Sequence, residues 1–223
     1  MYLEYKINEA LNSISEHMIG SVNSVSHRDL VQVAFRGFGV KVKVNTDSAV
    51  SKDKDMIVVT GEYSPWKVRQ NIELVLNYAP SGKRIKITKK IWKTLRFDLS
   101  QVLQHELIHR RQCTHIEVPS EDWADHSCKI YASKANIPAK KVAQEYFGST
   151  EEIEAHAHCI MMELREWAPR TNPFDILRHP KRLRHNQSPT LKDYLETFDY
   201  DMRHPALKRL FTKIVYWIET QEA

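Results

Sequence analysis

The chain has 223 residues, of which 42% are hydrophobic, with 33 basic and 28 acidic side chains and a formal net charge of +5. That length supports a sizeable core without help from disulfides, and so small a charge excess does not by itself imply a nucleic-acid partner, which stays open but weakly indicated. Three cysteines, Cys113, Cys128 and Cys159, form no C-x-x-C pair, the N-terminus lacks the basic-then-apolar pattern of a signal peptide, and no apolar run reaches membrane-spanning length. The expectation is a cytoplasmic protein with reduced thiols and no membrane partner.

In chain order, Ile7, Leu11, Ile14 and Met18 predict one helix over Tyr5–Met18, and Leu30–Phe35 predicts a shorter one. Val40, Val42 and Val44 alternate with Lys41, Lys43 and Asn45, the period of a half-buried strand. Met56–Thr60, Ile72–Tyr78 and Arg84–Thr88 predict three more, with turn residues Ala79-Pro80-Ser81-Gly82 before the last. Four strands in succession predict an antiparallel meander. Lys89–Leu95 then predicts a helix. A separate one is predicted over Leu99–Gln112, with Asp98 and Gln101 as a capping box.

Further on, Trp123–Ala132 and Lys140–Tyr146 have helical patterns, and Ser149–Trp167 is strongly amphipathic up to Ala168-Pro169. The basic stretch Arg178–His185 reads as a solvated loop or as a contact for an acidic partner. Leu191, Tyr194, Leu195 and Phe198 share one helical face, and Pro205 opens a last helix carrying Leu207, Leu210, Phe211, Ile214, Val215 and Ile218.

The stretch richest in chemistry is His105-Glu106-Leu107-Ile108-His109, an H-E-x-x-H pattern inside a predicted helix. Residues four apart project from one face, so both imidazoles can reach a single ion. Glu106, beside the first histidine, can then take a proton from a water held by that ion. A third ligand is needed, and there are two candidates. His115 follows His109 by six residues, but Gln112 stands where a turn-forming glycine would be needed. Glu152 follows by 43 residues, at the start of a helix, where with Ser149 it also reads as a capping box.

This combination resembles the zincins, metallopeptidases built on H-E-x-x-H, and Glu152-Ile153-Glu154-Ala155-His156 is similar to the second metal-binding segment of the gluzincins. The resemblance implies zinc held by His105, His109 and Glu152, with His115 as the alternative third ligand, and Glu106 as general base. It implies that His156, Tyr146 or His158 supports the ligands or the oxyanion. His156 stands where many gluzincins have aspartate; a neutral imidazole supplies no negative charge there. The implied fold is α+β, a small mostly antiparallel sheet on the His-Glu helix with extra N- and C-terminal helices. It would form a single domain over 1–223, with a core of about 38–167 and a helical extension of about 186–223.

The implied function is a zinc-dependent metallopeptidase, an endopeptidase rather than an exopeptidase. Its substrate would be a protein or peptide that pairs with Arg84–Thr88 or a neighbouring strand. The alternative is a metal-stabilised regulatory or binding module that contacts protein or nucleic acid.

Overall fold

The computed structural model describes residues 2–46, 56–65, 71–80, 84–113, 139–184 and 187–222. Among them are nine α-helices and a three-stranded mixed sheet, an α+β arrangement. The chain divides into two compact units, Met1–Arg110 and Arg111–Ala223.

The first unit opens with α1 (Tyr2–Ser13), α2 (Ser15–Met18) and α3 (Ser24–Ala34). The helix expected over Tyr5–Met18 is therefore broken at Ile14, although Ile7, Leu11, Ile14 and Met18 all stay buried on one stripe. Helix α3 begins well before the apolar pattern at Leu30, because the Asn23 side chain accepts a hydrogen bond from the Val25 N–H at 2.9 Å and starts it.

The strands are β1 (Val40–Asn45), β2 (Ile57–Tyr63) and β3 (Ile72–Tyr78), in the spatial order β1-β3-β2. β2 pairs antiparallel with β3, but β1 pairs parallel with it, Val40 opposite Ile72. The expected meander is corrected here. Alternation marks a strand and its buried face but carries no information on its neighbour. β3 is the central strand, and Ile72, Leu74, Leu76 and Tyr78 are fully buried.

Arg84–Thr88 is not a strand of this sheet. Ile85 and Ile87 are buried, and Ile87 exchanges backbone hydrogen bonds with Gly20 and Ser21 at 2.8 and 2.9 Å. Its alternation is that of an extended connector that anchors two isoleucines in the core.

A single helix of 25 residues follows, α4 (Lys89–Cys113). Thr88 Oγ1 accepts from the Ile91 N–H at 3.2 Å at its start, so Asp98 lies inside the helix and is not its cap. The two predicted segments merge because Trp92, Leu95, Leu99, Leu103 and Leu107, all buried, form one unbroken stripe against the sheet's core.

The second unit consists, beyond the last turn of α4, of α5 (Ala139–Phe147), α6 (Thr150–Trp167), α7 (Pro173–Arg178), α8 (Pro189–Thr197) and α9 (Pro205–Glu222). Helix α6 is its axis. Its side chains from Ala157 to Leu164 are all buried, as suits a helix packed by α5, α8 and α9. Glu163 ties α8 to it: its carboxylate accepts from Ser188 Oγ and Thr190 Oγ1 at 2.5 Å and from the Thr190 N–H at 3.2 Å.

Of the basic stretch, Arg178 ends α7 and Pro180–Arg182 form a 3-10 turn, with Leu183 buried after it. The helix expected over Trp123–Ala132, His115, and His185 lie outside the described residues. Among the described residues no helix is long and apolar enough to cross a membrane.

Candidate metal centre

His105, Glu106 and His109 sit in the C-terminal half of α4, in the first unit. The two histidine Nε2 atoms are 3.0 Å apart, with ring centroids at 4.6 Å and planes at 80°. Two nitrogens that bind one zinc tetrahedrally at about 2.0–2.1 Å would lie about 3.3 Å apart, so the pair is already close to a chelating separation. Which of the two rings donates in this contact depends on their tautomers.

Glu106 and His109 are buried, and His105 is partly exposed. Glu106 lies directly beneath β2, where the helix approaches Gly61. The next turn is held by Arg110, whose Nη1 donates to the Phe38 carbonyl at 2.8 Å.

In the second unit, α6 carries Glu152 and His156 one turn apart. Ser149 caps this helix, its side chain accepting from the Glu152 N–H at 3.3 Å. The Ser149 N–H itself donates to the Tyr146 carbonyl at 3.1 Å, so the reciprocal half of a capping box is taken up by backbone. The Glu152 carboxylate is turned instead towards its own helix, with Oε2 3.5 Å from His156 Nδ1.

The last residues of α4 brace the start of α6: Arg111 pairs with Glu154 at 3.1 Å, and Gln112 Nε2 donates to the Glu151 carbonyl at 3.2 Å. Position 112, where His115 as a ligand would need a turn-forming glycine, is thus helical and engaged through its side chain.

The supporting residues separate into two groups. Tyr146 is beside His156, with ring centroids 6.1 Å apart. His158 faces the other way, packing edge-on against Trp217 of α9 at 4.8 Å, and belongs to the helical core. The residue for which sequence offered no reason beyond its type is Tyr194 of α8: fully buried, its hydroxyl is 3.2 Å from His156 Nδ1. Burial, and then the nearby Glu152 and Cys159, raise the Tyr194 pKa far above that of an ordinary phenol. It therefore stays a neutral hydroxyl. The only sequence signal was a tyrosine on an apolar helical face, which pattern alone cannot tell from packing.

His105 of the first unit and Glu152 and His156 of the second each offer an imidazole nitrogen or a carboxylate oxygen, donor types that zinc takes. No family model, curated protein or solved structure matches the chain. The reading of the site therefore rests on its own chemistry.

Proposed function

We propose that the chain is a zinc-dependent metallopeptidase, with His105, His109 and Glu152 as ligands, His156 as a further nitrogen donor beside Glu152, and Glu106 as general base. The observation that carries this reading is the His105–His109 nitrogen pair at 3.0 Å on a helix whose intervening Glu106 is buried under β2. Two imidazoles and a carboxylate suit zinc, and the bound ion supplies Lewis acidity that polarises a carbonyl and acidifies water.

The protein's own groups carry the proton. Glu106 takes it from the water that attacks the scissile carbonyl and delivers it to the departing amine, so one carboxylate is base and then acid. Burial keeps bulk water from competing with that transfer.

A peptide substrate would run along β2. Among the described residues this strand lies at the edge of the sheet, pairs with β3 on its inner side and passes over Glu106. The opposite edge is occupied: Gln32 Nε2 donates to the Val40 carbonyl and its Oε1 accepts from the Val42 N–H, both at 2.8 Å, so an amide side chain stands where a further strand would pair with β1. An extended peptide laid antiparallel on β2 gains main-chain hydrogen bonds and brings a carbonyl near the general base.

The test is cleavage of unfolded casein by the wild-type chain and by Glu106→Gln, with zinc measured in both. The reading requires that wild type cleaves and that the variant keeps its zinc but not its activity. Full activity in Glu106→Gln would overturn it.

A further inference from the structure

We propose that Gly61 is the positioning residue for the Glu106 carboxylate: the missing side chain at this point of the edge strand is the notch in which the general base stands. The inference rests on the peptidase reading for its consequence in catalysis, but its geometry does not.

Along β2 the residues directed at α4 are Ile57, Val59, Gly61 and Tyr63, the odd positions of the alternation. Three of the four are large. At the fourth, a Cβ would fall 2.6 Å from Val102 Cγ1 and 2.9 Å from both Cγ and Oε1 of Glu106. Real Cβ atoms do not approach other atoms so closely, so the volume that a side chain at 61 would take is filled by the Glu106 carboxylate and one methyl of Val102. Gly61 is not required by backbone conformation: among the described residues the glycines with positive φ are Gly20 and Gly39. Its reason is close approach, one of the uses of glycine in a strand interior.

The consequence is positional. With β2 on one side and the helix backbone on the other, Glu106 is confined beneath the strand along which the proposed substrate would pair. A general base works only within hydrogen-bond reach of its proton, and a misplacement of about 1 Å can cost about 100-fold in rate.

The experiment compares Val102→Ala with Gly61→Ala/Val102→Ala in the full chain as purified. Val102→Ala removes both γ-methyls, including the Cγ1 that makes the first conflict, so the new methyl at 61 presses on Glu106. The readouts are zinc content, casein cleavage, and the carbon-13 resonance of the Glu106 carboxyl, assigned by its loss in Glu106→Gln. The expected result is zinc content equal to that of Val102→Ala, a displaced Glu106 resonance, and a kcat about 100-fold lower at unchanged KM. An unmoved resonance together with unchanged turnover would overturn the proposal.

If wild type does not cleave casein, the peptidase reading fails and the resonance alone decides the role of Gly61. If the double variant does not fold, thermal unfolding decides: Gly61→Ala must lower the midpoint less in a Glu106→Ala background than in wild type, and an equal loss would overturn the proposal.

Discussion

The Tyr194 hydroxyl lies 3.2 Å from His156 Nδ1, and Glu152 Oε2 lies 3.5 Å from the same nitrogen. A residue from α8 thereby orients an imidazole on α6, and Glu163, which clamps the start of α8, keeps the tyrosine in place. His156 is thus an imidazole steered by a buried phenol.

Tyr194→Phe removes that hydrogen bond and little else. The expected cost is about 1 kcal/mol of stability, and a loss of about 10–100-fold in zinc affinity if His156 serves the site. Zinc titration of both proteins with a competing chelator measures it, and equal affinities would confine Tyr194 to packing.

The buried phenols also predict an alkaline limit. The folded pKa of Tyr78 and of Tyr194 is raised by burial, whereas in the unfolded chain each ionises near 10. Their contribution is present in full below pH 10 and is lost as pH rises above it, because only the unfolded chain ionises readily. In an ultraviolet titration these two tyrosines should ionise last and together with unfolding. Early, reversible ionisation of all nine tyrosines would contradict the assignment.

An acid-side counterpart is His27, fully buried, with Nδ1 2.8 Å from the Tyr78 hydroxyl. Desolvation lowers its pKa below the usual 6.5, partly opposed by a hydrogen bond with the Ser21 backbone. Its contribution to stability is therefore complete above pH 6.5 and declines as pH falls through the lower folded value. Proton NMR of the His27 ring should show a midpoint under 6.5; a midpoint at or above it would refute the account.

Glu163→Gln tests the clamp on α8. An amide has one carbonyl oxygen for the three donors that the carboxylate now serves, two hydroxyls and one N–H. The expected loss is about 1.5–3 kcal/mol, read from urea denaturation. An unchanged midpoint would mean that solvent replaces those bonds.

How far the sequence leads can be judged from particular residues. His105 and His109 were legible as a pair because a four-residue spacing on a helix is itself a statement about geometry, and the apolar stripe around them marked the helix. β1, β2 and β3 announced themselves through alternation. Their order did not, because the parallel neighbour of β3 is chosen by tertiary packing. Ile85 and Ile87 misled for a related reason: two buried residues at a spacing of two describe an anchored connector as well as a strand. Asp98 looked like a cap since its type and spacing fit, yet Leu95 and Leu99 continue one stripe past it. Gly61 and Gln32 were invisible, and Tyr194 was legible only by its type and its apolar face, each acquiring its meaning from a partner far away in the chain.

The proposed peptidase requires zinc held by the His-Glu helix and Glu152. The most direct measurement is metal content of the purified protein, for wild type, Glu152→Ala and His115→Ala in parallel. The prediction is near one zinc per chain in wild type and in His115→Ala, and little in Glu152→Ala. Absence of zinc from wild type, or the same occupancy in Glu152→Ala as in wild type, would contradict it.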